Sequence, residues 1–326
     1  MLIANAQKIM KSTEKLEQAE FLYQVARLYY EEELTQEQIA RQIGLSRQKV
    51  QRLLDSAKKE GIVQIQVISP VSSHREIEKQ LEKHFKLTKA IVVSSSIKTE
   101  SIIRKNIGRA AAAYLEDTLR DNDILGIGWG RTVYETLNYF KPTGKLFITV
   151  VPLIGGIGQM AADFQVNEVA RKFAEKAGGI FIPLHAPALV DNEKIVKTLF
   201  SDKNVEKVAK LWEKVNIAIV GIGGPLSNSS YVPVSYYSDA DIAFLKKERQ
   251  VGDILSHFLR EDGKLCSPLL SKKIVGISPE QLKKNERVIA VAGAVRKKEA
   301  ILATLKRRYI DVLVTDENVA EEILKS

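Results

Sequence analysis

The sequence predicts an α/β protein in two parts: a winged helix-turn-helix over residues 1–70 and a larger, mostly parallel α/β domain over residues 71–326. Three observations carry that prediction. The stretch Thr35–Leu54, TQEQIARQIGLSRQKVQRLL, has the grammar of two short helices about a tight turn. From His74 onward, apolar strand segments alternate with helical ones, the pattern of a buried parallel sheet. Between these parts, Ser69-Pro70-Val71-Ser72-Ser73 reads as a linker.

At the N-terminus, residues 1–17 are polar and give no assignment. Phe21, Leu22, Val25, Leu28 and Tyr29 recur at helical spacing through Gln18–Glu31. Thr35 with Gln38 forms a T-x-x-Q capping box that starts the next helix. Ala40 is small enough to admit a crossing helix, and Gly44 stands where the turn needs positive φ. Ser46 caps the following helix. On a helical wheel Val50, Leu53, Leu54 and Ala57 form its buried stripe, while Gln48, Gln51, Arg52 and Lys59 lie opposite, flanked by Arg47 and Lys49. Arg and Gln pair with guanine and adenine edges in the major groove, so Arg47, Gln48, Gln51 and Arg52 are the expected base readers. Ser46, Lys49 and Lys59 are the expected backbone contacts, which position the protein without reading sequence, and Arg41 is a further expected DNA-binding residue. Asp55 also falls on the polar side and is the exception there. Gly61 ends the helix, and Ile62–Ile68 alternates like the strand of a wing, with Lys58 nearby.

Composition bounds the partners. The net charge of +9 suits a polyanion, yet residues 1–70 hold ten Lys/Arg against nine Asp/Glu. The argument for duplex DNA therefore rests on the cluster from Arg41 to Lys59, not on overall charge. A single cysteine, Cys266, excludes an internal disulfide framework and fits a reducing cytoplasm. Four scattered histidines show no metal-ligand spacing, no apolar run reaches membrane-spanning length, and no cofactor motif is present. Cytoplasmic, metal-free and not membrane-bound is the expectation.

In the larger part, Ile77, Leu81, His84 and Phe85 mark a helix leading to a strand at Ala90–Ser94. Further strands are expected at Ile124–Trp129, Leu146–Leu153, Ile180–Leu184, Ile217–Ile222, Arg287–Ala292 and Asp311–Val314. Helices are expected at Ser101–Leu119, Val133–Phe140, Val166–Lys176, Lys297–Lys306 and Glu317–Leu324, with Glu261-Asp262-Gly263-Lys264 as an antiparallel turn. Ligands of open α/β sheets bind beyond the carboxyl ends of strands. Glycine-bearing segments fall there at Gly126–Thr132, Gly155–Gly158, Gly221–Gly224 and Val291–Gly293, the last followed by Arg296, Lys297 and Lys298. Glycines let backbone N–H groups approach an anion, Arg131 offers a forked cation, and Thr132 a hydroxyl. Asp253 is a candidate acceptor for sugar hydroxyls, with the cap of a helix over Ile254–Leu259 as its plainer role. Trp129 and Trp212 read as core.

LYYEEELTQEQIA (28–40), GIGWGRTVYETL (126–137), PLIGGIGQ (152–159), VGDILSHFLREDGKLC (251–266) and AVAGAVRKKEAI (290–301) resemble, in order, the SorC family of sugar-responsive bacterial regulators. The resemblance implies a C-terminal effector domain related to sugar-phosphate isomerases, dimers or tetramers, and control by a phosphorylated sugar. Carried over by position, its pocket includes Gly128, Gly130, Thr132, Gly155, Gly156, Asp253 and Lys297, with Gln165 and Asn167 after them and Arg131 where a small hydroxyl residue is common. Ile154 stands where a polar or basic residue occurs in the family, which argues against a lysine Schiff base there.

The expected function is thus a regulator, a repressor of a carbohydrate operon that binds operator duplex DNA and is no enzyme. The rival is a sugar-phosphate isomerase or deaminase with a DNA-binding appendage, for which Asp253 and His257 are the nearest acid–base pair. A third reading leaves the helix-turn-helix as a dimerisation device only.

Overall fold

The computed structural model describes residues 18–63, 74–94, 99–157, 164–226 and 237–326, and the chain divides into two compact units, Met1–Val71 and Ser72–Ser326. The expected linker, most of the expected wing strand, Gly158 and residues 1–17 lie outside the described residues.

In the first unit, α1 (18–30), α2 (Gln36–Ile43) and α3 (Arg47–Lys59) surround a small core of Val25, Ile39, Ala40, Val50 and Leu54. Thr35 and Gln38 form the reciprocal capping box, which satisfies two orphan amides at the start of α2. Gly44 closes α2 at φ +68°, its N–H returning to the Ala40 carbonyl. That left-handed residue turns the chain within two positions, and the Ser46 hydroxyl then accepts from the Lys49 N–H to open α3. Leu22, Ala26 and Ala57 seal the base of α1 against α3.

The second unit is a twisted sheet clothed in helices. Along the chain run α4 (Arg75–Phe85), β1 (Lys89–Val93), α5 (Glu100–Thr118), β2 (Ile124–Ile127), α6 (Arg131–Tyr139), β3 (Thr149–Pro152), α7 (Val166–Ala177) and β4 (Ile180–Phe181). Then come α8 (Glu193–Ser201), α9 (Lys203–Trp212), β5 (Ile217–Gly223), α10 (Asp239–Lys247), β6 (Gly252–Ile254), β7 (His257–Leu259), α11 (Pro268–Ser271) and α12 (Pro279–Leu282). After them β8 (Arg287–Val291) leads through a 3-10 turn, Val295–Lys297, into α13 (Lys298–Lys306), followed by β9 (Val312–Asp316) and α14 (Glu317–Leu324).

The parallel strands stand in the order β1-β9-β8-β5-β2-β3-β4, so β5 lies at the centre between β8 and β2. Its residues Ile217–Val220 are fully buried, as a central strand covered on both faces requires. Gly108 lets α5 press onto α6, because a Cβ there would meet Glu135 at 2.6 Å. One segment departs from expectation: Ile254–Leu259 is no helix but the turn and second strand of a hairpin. Leu255 and Ser256 take φ +50° and +65°, the paired left-handed residues of a tight two-residue turn, and β6 runs antiparallel to the end of β5. The expected turn at Glu261–Lys264 follows it, with the Arg260 N–H on the Lys264 carbonyl.

Candidate functional site

Three parallel strands, β2, β5 and β8, end side by side, and a cavity opens above them. From β2, the chain passes Trp129 and Gly130 into α6. Gly130 adopts φ +143°, which favours glycine, and α6 starts with no side-chain cap, so its positive end faces the cavity beside Arg131 and Thr132. From β5 come Gly221, Ile222, Gly223 and Gly224. From β8 come Gly293, Ala294, Arg296 and Lys297. Ala294 sits at φ +77°, a strained conformation for a residue with a Cβ, and its N–H donates to the buried Asp316 carboxylate at 2.7 Å. That strained turn fixes where Arg296 and Lys297 point.

Asp253 arrives from the hairpin. It registers opposite Gly223, and a Cβ on Gly223 would lie 1.9 Å from Asp253 Oδ1, so only glycine admits the carboxylate. Asp253 Oδ2 accepts from the Ser256 N–H at 3.0 Å, and burial raises its pKa to about 6. Lys297 Nζ donates to the Ile222 carbonyl at 2.7 Å. Burial, and then neighbouring Arg296, lower its pKa to about 8, against the pull of Asp253. An ammonium at the edge of losing its proton and a carboxylate at the edge of gaining one thus face a cavity also lined by Arg104, Arg131 and Arg296. The arrangement suits an anion carried on a polyhydroxylated body.

Below pH 8 Lys297 is charged and attracts an anion; above it the charge is lost. Anion affinity is therefore expected to fall as pH rises through about 8, approaching about tenfold per unit where one proton is required. Binding titrations between pH 7 and 9.5 check this, and a flat profile would remove Lys297 from the anion's shell.

Of the effector residues expected from sequence, Gly130, Arg131, Thr132, Asp253 and Lys297 line this cavity together. The others do not. Gly128 is a packing glycine, its N–H on the Ile219 carbonyl, and a Cβ there would meet Leu255 at 2.9 Å. The N–H groups of Gly155 and Gly156 are spent on the Val275 and Ala186 carbonyls. Gln165 clamps Ile157 through both its amide N–H and carbonyl, and Asn167 does the same to Leu184 at 2.9 and 3.0 Å. These side chains pin loops and are not among the residues that line this cavity.

The sequence-based reading missed Glu100 and Arg104 on α5, where Ile103 and Ile107 complete one wall. Their signal was positional: a helix leaving a parallel strand begins at the same sheet end as every other strand terminus. His257, the proposed partner of Asp253 in the enzymatic reading, is not among the lining residues. It is buried, and burial lowers its pKa to about 4, so it is neutral and away from the cavity. The acid–base pair is not assembled. Trp212 is core, as expected, its indole N–H on the Pro152 carbonyl; Trp129 is buried yet also touches the cavity.

In the first unit, Arg47, Gln48, Lys49, Gln51, Arg52 and Lys59 are all exposed along α3, while Val50, Leu54 and Ala57 are buried. Among the described residues, Arg47, Lys49, Arg52 and Lys59 form no salt bridge, whereas Arg41 pairs with Glu37 at 2.9 Å. Gln51 is held from two sides. Its amide N–H reaches the Asp55 carboxylate at 3.1 Å and its carbonyl accepts from Gln36. Asp55 is thus the orienting partner of a polar-face residue, which accounts for an acid on that face.

Known proteins place this geometry. The family described as "Putative sugar-binding domain" matches residues 69–325, and "Sigma-70, region 4", a helix-turn-helix family, matches residues 23–59. The chain is 32% identical over 308 residues to the deoxyribonucleoside regulator of Bacillus subtilis (strain 168), spanning 94% of this chain and 98% of that protein. It is 30% identical over 306 residues to the sorbitol operon regulator of Klebsiella pneumoniae, spanning 93% and 97%. The crystal structure of the full-length sorbitol operon regulator SorC from Klebsiella pneumoniae matches with a TM-score of 0.76 at 29% identity, over 94% of this chain and 98% of that one. These relatives are transcriptional regulators rather than enzymes. Among the described residues no helix is long and apolar enough to cross a membrane. With a helix-turn-helix ahead of a parallel-sheet sugar-binding domain, this chain belongs to the SorC/DeoR family of sugar-responsive, DNA-binding transcriptional regulators.

Proposed function

We propose that this regulator is a cytoplasmic repressor of a carbohydrate operon whose effector is a phosphorylated sugar, with DNA binding in residues 1–70 and effector binding in residues 71–326. The observation that carries the effector class is the cation-lined cavity at the ends of β2, β5 and β8. There the uncapped start of α6, Arg131, Arg296 and Lys297 supply anion-binding groups beside Asp253, a hydroxyl acceptor. Gly130 and Thr132 complete the anion end, while Gly128, Gly155, Gly156, Gln165 and Asn167 hold the scaffold around it.

On DNA, Arg47, Gln48, Gln51 and Arg52 read bases, while Arg41, Ser46, Lys49 and Lys59 hold phosphates. A homodimer or homotetramer presents paired α3 helices to a palindromic site. Control is linkage: the effector favours one arrangement of the oligomer and operator DNA the other. The relatives' names, deoxyribonucleoside and sorbitol operon regulators, fit a polyhydroxylated effector.

The test is a melting-temperature screen of pentose and hexose phosphates against the same sugars without phosphate, followed by gel shifts on the operator. Phosphorylated compounds alone are expected to raise the midpoint, and the strongest to release DNA. Equal stabilisation by the neutral sugar would overturn the phosphosugar assignment.

A further inference from the structure

Glu100 and Arg296 meet at the cavity from elements 196 positions apart in sequence. Arg296 Nε donates to Glu100 Oε1 at 2.6 Å and Nη2 to Oε2 at 3.1 Å, a fork gripping a fork. Glu100 is the first residue of α5; Arg296 lies in the 3-10 turn ahead of α13. The two side chains are 46% and 28% exposed, so the pair adds little to the stability of the fold. Its location is what sets it apart from the other surface ion pairs. Both partners line the cavity in which the effector's anion is placed, and a guanidinium offers phosphate the same fork that it offers carboxylate. Arg296, and after it Lys297 and Arg131, hold the Glu100 carboxyl below its ordinary range, so it is fully ionised at neutral pH.

Two anions cannot share that guanidinium without facing each other across a few ångströms. A phosphate brings up to two negative charges, against one on Glu100, and meets Lys297 and the α6 start as well.

We propose that Glu100 is the internal counter-ion of Arg296 in the effector-free pocket, and that the effector's anionic group displaces it and frees the first turn of α5. This rests on the phosphosugar reading above. It names the element that responds: α5 packs along α6, whose start carries Gly130 and Thr132, so the pocket's two walls are coupled. It also supplies selectivity, because a neutral sugar gains nothing by opening the pair.

The experiment titrates the full chain with inorganic phosphate, and then with the best phosphosugar of the screen, reading the half-saturating concentration from the melting midpoint. Glu100→Gln is expected to lower it about 3- to 10-fold, since no counter-ion need be displaced. Glu100→Ala, as a second variant, shifts it the same way. Arg296→Gln raises it about 10-fold or more. In the Glu100→Gln/Arg296→Gln double variant the gain from Glu100→Gln vanishes, because the carboxylate acts through Arg296. An unchanged half-saturation in both Glu100 variants overturns the proposal. So does a gain that persists in the double variant, which would make Glu100 a general repulsive charge. If neither phosphate nor any phosphosugar moves the wild-type midpoint, the effector reading itself falls, and this inference with it.

Discussion

Replacing Lys297 with methionine is expected to abolish the effector response while leaving operator binding intact. The side chain reaches the cavity from the turn after β8, and its ammonium bonds the Ile222 carbonyl at 2.7 Å beside Asp253. Methionine keeps much of the stem's volume, so the packing of α13 survives. What goes is the charge that offsets Asp253. An anion entering the variant meets an uncompensated carboxylate in a poorly solvated site, and truncating one member of such a pair weakens binding by about 30-fold or more. On the proposed reading, protein so altered is expected to stay on DNA at effector concentrations that release the wild type. Gel shifts with and without the best phosphosugar read both halves of the claim. A wild-type release curve would take Lys297 out of the pocket, and weakened DNA binding without effector would point to a damaged fold instead.

Arg52→Ala is the complementary case, expected to weaken operator binding by about 5- to 150-fold per reading helix, the span of one bidentate base contact at ~1–3 kcal/mol. Arg52 is exposed on α3 and makes no salt bridge among the described residues, so its loss leaves no orphaned partner in the protein. Alanine also suits a helix interior, and the melting temperature should hold. The distinguishing measurement is specificity. A base reader loses discrimination between operator and random duplex, whereas a phosphate contact lowers both affinities alike and reduces the salt slope by about one. Lys59→Ala is the control with that second signature. An Arg52→Ala protein with wild-type operator affinity would sink the assignment of α3 as the reading helix.

Much of this was legible before any coordinates. The first unit is governed by local rules: a capping box, a left-handed glycine and a serine cap act within a few residues of themselves. Thr35, Gly44 and Ser46 therefore announce their roles in the sequence. The stripe of Val50, Leu54 and Ala57 likewise fixes which face of α3 is free. In the second unit the strands and most helices followed from apolar runs and period, and several of the strand-end glycines border the cavity at the ends of β2, β5 and β8.

Which of those glycines borders the cavity was not a local matter. Gly128, Gly155 and Gly221 look alike in sequence, yet the first packs under Leu255, the second bonds Val275, and the third borders the cavity. Sequence alone determined the element types, the caps and the polar face of α3, because each depends on neighbours a few residues apart. The tertiary structure decided the membership of the cavity. Strand order brings β2, β5 and β8 together, the hairpin carries Asp253 across to Gly223, and the crossover after β1 sets Glu100 against Arg296. Those pairings join residues tens to hundreds of positions apart, and their energies depend on burial that no local window contains.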